Sequence, residues 1–186
     1  RFYLNGIYLH AAKEGKAPTL RAAATDGHRL ARYELDLPDG ASDMPGVIVP
    51  RKTIGELRRL LDDADGAIEI SLSDTKIQFA FNGVDLMSKL IDGTFPDYQR
   101  VVPAGNDKAR SLEAKEFGQA VDRVSTISAD KTRAVKLVLA KDKVTLSVVN
   151  PESGTATEEV EATYSAAPLE IGFNARYLLD ITSQIE

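Results

Sequence analysis

The sequence predicts an α+β fold assembled from repeated β-α-β-β-β units, each an antiparallel sheet with a helix over one face. Three observations carry that reading. A short apolar strand, a break residue and an amphipathic helix occur in that order three times. The first helix anchors of the copies, Ile54, Phe117 and Leu178, lie 63 and 61 residues apart. Strand-like alternation broken by turn signals follows the first two helices, and a period of this size marks a tandem structural unit.

Taken in order, residues 1–37 supply three strand-like stretches, Phe2 to His10, Leu20 to Thr25 and Arg29 to Leu37. Asp26-Gly27 stands between the last two, so Thr25 to Leu30 reads as a hairpin turn. The first copy of the motif is Val47-Ile48-Val49, Pro50, then Arg51 to Leu61, with Ile54, Leu57 and Leu61 on one helical stripe. Next, Ile68, Ile70 and Leu72 alternate, then Ile77, Phe79 and Phe81, then Val84, Leu86 and Ser88. Ser73-Asp74 and Asn82-Gly83 separate these strands, and Asn-Gly is a strong signal for a tight hairpin. Pro103 to Lys108 is polar and rich in breakers, so a domain boundary is placed near residue 108, giving domains 1–108 and 109–186.

The second copy is Arg110-Ser111-Leu112, Glu113, then Ala114 to Val124, with Phe117, Val121 and Val124 as its stripe. Strands follow at Val135 to Leu139, Val144 to Val148 and Thr157 to Tyr164, with turns at Lys141-Asp142 and at Asn150 to Gly154. The third copy is Ile171-Gly172-Phe173, Asn174, then Ala175 to Ile185, striped by Leu178, Ile181 and Ile185. Both ends of the chain cut through a unit, so the sequence reads as a segment of a longer protein.

Bulk properties restrict function less than they restrict class. The 186 residues are 43% hydrophobic and 27% charged, ordinary for a globular protein. No apolar run is long enough to span a bilayer, and Arg1-Phe2-Tyr3 begins no signal sequence. The absence of cysteine removes disulfides and thiolate metal sites, which fits a cytoplasmic setting. A net charge of −5 argues against nucleic-acid binding only as an average, because one basic face on an acidic protein still attracts phosphate. Such a face has a source here. Two positions before each anchor stands Lys52, Lys115 or Arg176, about 160° around the helix from it and so opposite the sheet. Arg59 falls on that face, while Arg51 and Arg58 project nearer the flanks. From the sequence alone, a solvated helix face that merely opposes aggregation explains these cations as well, since Glu56, Gln119 and Asp180 share the polar faces.

Several motifs, in order, carry a family resemblance: Leu4-Asn5-Gly6, Thr25-Asp26-Gly27-His28-Arg29-Leu30, Val47 to Lys52, Phe95-Pro96-Asp97-Tyr98 and Ile171 to Asn174. The chain resembles the bacterial sliding clamps, the β subunits of DNA polymerase III, from end to end. That resemblance implies a DNA-clamp fold with sheets outside and helices lining the inner face. Residues 1–108 would be most of a middle domain and 109–186 the start of a third. It further implies a bacterial, cytoplasmic, non-catalytic subunit without cofactor or metal. In the full-length protein a homodimeric ring would encircle double-stranded DNA and tether the polymerase catalytic subunit, the clamp loader, and repair or ligation proteins through a short linear motif.

The resemblance also assigns residues. Arg51, Lys52, Arg59, Lys115 and Arg176 would meet phosphates without reading bases. Phe2 and Tyr3 would make a further DNA contact, a ring stacking on a base or lying along the backbone. Tyr3 is the more expected of the two, since its hydroxyl suits a wet surface. Read as strand residues, they are simply a pair of aromatics with one facing the core. A client groove at a junction between domains would take Leu4, Thr25, Gly27, His28, Arg29, Leu30, Pro96, Arg100, Val101, Asn174 and Tyr177. Leu30, Pro96 and Val101 would bury a client's Leu or Phe, and Arg29, Arg100 and Asn174 would orient its backbone or a carboxylate. Thr132 stands where some clamps place an aromatic on the groove wall, which implies a shallower wall. In its bland reading, His28 is only the polar tip of a hairpin.

Two other functions compete. An enzyme would need His28, beside Asp26 and Arg29, as an acid–base cluster. The two histidines, His10 and His28, have neither nucleophile-elbow nor metal-ligand spacing, and no glycine-rich phosphate loop occurs. A docking scaffold of the same fold that does not encircle DNA is the alternative within the family.

Overall fold

A computed structural model describes residues 2–13, 17–109, 111–128, 133–164 and 166–185. The chain forms two compact units, Arg1–Val102 and Pro103–Glu186. In the first, a 3-10 turn at Phe2–Leu4 leads into β1 (Gly6–Ala12), β2 (Thr19–Thr25) and β3 (Leu30–Asp36), an antiparallel meander. Strand β4 (Val47–Pro50) then returns beside β1, giving the sheet order β3-β2-β1-β4. Helix α1 (Arg51–Leu61) leads to a second, three-stranded sheet of β5 (Glu69–Leu72), β6 (Lys76–Phe81) and β7 (Val84–Lys89). A second 3-10 turn follows at Tyr98–Val101.

The second unit repeats the first part of this plan. After α2 (Ala114–Ser125), strands β8 (Ala134–Ala140), β9 (Lys143–Asn150) and β10 (Gly154–Glu161) form a meander. Strand β11 (Leu169–Asn174) returns beside β8 and runs straight into α3 (Ala175–Thr182). Its order, β10-β9-β8-β11, matches β3-β2-β1-β4 strand for strand.

This topology refines the unit read from the sequence. The strand that opens each copy of the motif joins the preceding meander, while the helix after β4 leads into a different sheet. Strand β4 therefore works on two sides. Val47 and Val49 pack with Ile54, Leu57 and Leu61 of α1 and with Ile77, Phe79 and Phe81 of β6. Ile48 faces the other way, into a cluster with Ala23, Phe95 and Tyr98. Burial on both faces is why this strand reads as an unbroken apolar run and not as alternation. The approach of β1 to β4 is close enough to require glycine: a Cβ on Gly6 would lie 2.4 Å from the Val49 carbonyl oxygen. The Asn82-Gly83 hairpin takes positive φ at both residues, as a two-residue turn of this kind demands.

Four local expectations need correction. Phe2 to Leu4 is a 3-10 turn, closed by the Asn5 amide donating to the Phe2 carbonyl at 3.0 Å, so the strand begins at Gly6. Ser111 makes an isolated bridge with Thr163 instead of a strand; Arg110 lies outside the described residues. The segment Thr157 to Tyr164 pairs in β10 only as far as Glu161. Helix α3 stops at Thr182, short of Ile185, because hydroxyls of its last turn compete for the backbone. Thr182 Oγ1 donates to the Leu179 carbonyl and Ser183 Oγ to that of Asp180, at 3.1 and 2.9 Å.

Candidate functional site

The cations of the repeated motif all sit in the first turn of a helix. Lys52, Lys115 and Arg176 are each the second residue of α1, α2 and α3, and all three are exposed. The apolar residue two positions on is buried in α2 (Phe117) and half-buried in α1 and α3 (Ile54, Leu178). Helix stability gives no reason for this placement. The N-terminus carries the positive end of the helix dipole, where a cation is disfavoured by a few tenths of a kcal/mol, roughly 0.3–1 at low salt. Among the described residues, no ion pair engages Arg51, Lys52, Lys115 or Arg176. By contrast Lys136, Lys143 and Arg123 are held by Glu170, Glu159 and Glu158.

Arg59 differs. It lies in the last turn of α1, where the dipole favours a cation, and it pairs with Glu56 one turn earlier. The structure thus supplies an intrahelical role for Arg59. The aromatic pair also divides differently from the sequence expectation. Phe2 is 69% exposed, whereas Tyr3 packs half-buried against the cluster of Phe95 and Tyr98. The ring open to a ligand is Phe2, edge-on to Tyr3 at 5.7 Å between centroids.

The segment Thr25 to Leu30 is the β2–β3 hairpin, with Thr25 opposite Leu30 in register. Asp26 organises it. One carboxylate oxygen accepts from the His28 and Arg29 amides at 2.9 and 3.1 Å, and the other accepts from Arg29 Nε at 3.2 Å. These bonds, the His28 amide first, hold the Asp26 carboxyl below its ordinary pKa. Thr25 Oγ1 closes the loop by donating to the Arg29 carbonyl at 2.7 Å. Gly27 takes φ +91°, a conformation that other residues adopt at a cost.

Beside this loop, Leu4 and Leu30 pack half-buried against the platform of Ala23, Ile48, Phe95 and Tyr98. The platform is aromatic and layered. Tyr8 stacks on Phe95 at 5.0 Å and on His10 at 4.5 Å, and His10 Nε2 lies 2.9 Å from the Tyr98 hydroxyl. From it emerge exposed Pro96, Val101 at 70% exposure, and Arg100, which pairs with Asp97 at 2.8 Å. That pair is solvent-exposed and worth little, so it leaves the guanidinium free to exchange partners. In the second unit, Asn174 caps α3 by accepting from the Arg176 amide at 3.0 Å, and Tyr177 is half-buried on the same helix. Thr132 lies outside the described residues. A cavity of about 420 Å³ lined by Lys141, Asp142, Thr163, Tyr164 and Ala166 contains none of the candidate DNA-contact or groove residues.

The platform itself was missed at the sequence level. Phe95 and Tyr98 stood in a quoted motif, but Tyr8 and His10 lie 85 or more residues away and meet them only through the fold; His10 and Tyr98 are 88 apart. The sequence shows Asp26 as a turn residue and as a neighbour of His28, but not as the carboxylate that gathers the loop amides.

Comparison with known proteins places these features in a family. The model for the DNA polymerase III beta subunit central domain matches residues 1–97, and that for its C-terminal domain matches 99–186. A curated beta sliding clamp of Caulobacter vibrioides is 54% identical over 185 residues, which is all of this chain and 50% of that protein. The Escherichia coli K12 protein of the same name is 38% identical over 188 residues, again 50% of its length. The chain thus spans about half the length of the curated relatives it matches. Among solved structures, a sliding clamp from Bartonella birtlesii bound to griselimycin superposes with a TM-score of 0.95 at 53% identity, covering all of this chain and 50% of that one.

Proposed function

The chain belongs to the DNA polymerase III beta-subunit family of bacterial sliding clamps, and from that premise we propose that it is part of a processivity factor. In a subunit of full family length it would help encircle duplex DNA as a homodimeric ring. The ring would slide without reading sequence and would hold the polymerase catalytic subunit, clamp loader, and repair or ligation proteins by a short linear motif. It has no catalytic step of its own. It acts in the bacterial cytoplasm, and no helix among the described residues is long and apolar enough to cross a membrane. Residues 1–108 correspond in this reading to most of the middle domain and 109–186 to the first half of the third.

The observation that carries the DNA part is the exposed cation at the second position of α1, α2 and α3, against the helix dipole and, among the described residues, outside any ion pair. An exposed cation there, at the positive end of the helix dipole, suits a phosphate. Lys52, Lys115 and Arg176 are the principal contacts, Arg51 and Phe2 are secondary, and Arg59 and Tyr3 contribute least because each is engaged within the fold. The client groove is proposed over the first unit's platform. Leu4, Leu30, Pro96 and Val101 give it apolar walls, Thr25, Gly27, His28 and Arg29 one rim, and Arg100 a mobile cation. Asn174 and Tyr177 enter through the family resemblance.

The test is the double substitution Lys52→Glu with Lys115→Glu in a subunit of full family length. The expected result is faster loss from circular duplex DNA with an unchanged circular-dichroism spectrum. Retention equal to that of the unsubstituted subunit would leave these cations a solubilising role only.

A further inference from the structure

The 3-10 turn at Tyr98–Val101 presents two of the proposed groove residues, yet it is poorly held by its own backbone. Its internal bonds, Arg100 amide to Asp97 carbonyl and Val102 amide to Gln99 carbonyl, are long at 3.4 and 3.3 Å. One side chain of the turn, Tyr98, enters the sheet and anchors it there. Tyr98 is 4% exposed, and its hydroxyl lies 2.9 Å from His10 Nε2. The other ring nitrogen of His10, Nδ1, lies 3.1 Å from the Ala11 carbonyl oxygen, which only accepts. Nδ1 is therefore the donor nitrogen, and Nε2 accepts from the Tyr98 hydroxyl. Around this bond the rings are locked: Tyr8 stacks on His10 and on Phe95, and a Cβ on Gly46 would strike the Tyr8 hydroxyl. One strand over, opposite His10 in register, Arg21 is 6% exposed and lies 3.3 Å from Glu34 on β3.

The second unit shows that the fold does not need this arrangement. With β11 aligned on β4 through their registers against β8 and β1, the positions of Tyr8 and His10 are taken by Lys136 and Val138. Ile48 is matched by Gly172, and Lys136 is an exposed residue paired with Glu170. The same four-stranded topology thus stands without either ring.

We propose that His10 is a positioning residue for the client groove, fixing through Tyr98 the turn that presents Arg100 and Val101. The inference rests on the groove reading above. Its test uses the full chain with two measurements: amide hydrogen exchange at Arg100 and Val102, and affinity for a short labelled peptide carrying Leu and Phe anchors. In His10→Leu, protection at both amides should fall roughly fivefold, the loss expected of one buried hydrogen bond, while protection at Phe79 in β6 stays unchanged. Peptide affinity should fall by a similar factor. In His10→Gln, whose side-chain oxygen can accept from Tyr98, both should recover to within about twofold. The double variant His10→Leu with Tyr98→Phe should be no worse than either single one, since both remove the same bond.

Unchanged protection in His10→Leu, or equal loss in the Leu and Gln variants, overturns the proposal. Protection lost with peptide affinity unchanged overturns His10's part in the groove. An unsubstituted chain that binds no peptide overturns the groove reading, and this role for His10 with it, whatever the exchange data show.

Discussion

At the scale of single residues, Asp26 shows how a turn becomes a presented surface. Its carboxylate gathers two backbone amides and one guanidinium, so the loop carrying Gly27, His28 and Arg29 has one shape while Asp26 is ionised. Because the folded pKa is lowered, the carboxylate's contribution to folding is fully present above its unfolded value. It is lost only as pH falls through the lower, folded value. The prediction is that the His28 and Arg29 amide resonances titrate together with a midpoint below that of an ordinary aspartate carboxyl. A midpoint at or above that value would mean that the amides do not hold the carboxylate. Sequence chemistry found the turn here, because Asp-Gly is a local signal. It could not find the His10–Tyr98 bond, whose partners the chain brings together from 88 residues apart. It also ranks Tyr3 over Phe2 on the wetness of a hydroxyl; the structure leaves Phe2 the more exposed ring and packs Tyr3 half-buried against the Phe95 cluster.

Secondary-structure elements were the most legible level, and their failures are informative. Helix α1 runs from Arg51 to Leu61 as its stripe and flanking Pro50 imply, and the Asn82-Gly83 hairpin falls where its φ requirements put it. What periodicity does not encode is which sheet a strand joins. Val47-Ile48-Val49 reads as the start of a unit, yet it completes the sheet of the preceding one. The Phe2–Leu4 turn escaped because a 3-10 bond needs no apolar period. At this scale the first-turn cations separate two accounts with one substitution. Lys115→Glu removes a charge that opposes the α2 dipole and introduces one that favours it. The isolated chain should therefore gain about 0.3–1 kcal/mol in a low-salt denaturant titration, shrinking as salt is added. A destabilised variant would show that Lys115 serves the helix and is not held there for an external ligand.

For the whole molecule, a net charge of −5 is no obstacle to binding a polyanion when the cations recur at one place in each repeated helix. The proposed ring would account for that recurrence: sliding needs attraction to phosphates that carries no sequence information, and repetition of one helix start would provide it. Electrostatic attraction alone weakens steeply with salt, whereas a closed ring remains linked to a closed circle. The most direct measurement loads a subunit of full family length onto nicked circular duplex DNA and challenges it with high salt before and after the circle is linearised. The account predicts survival on the circle and rapid loss once an end is available. Equal loss from circular and linear DNA would contradict enclosure and leave a docking scaffold of the same fold.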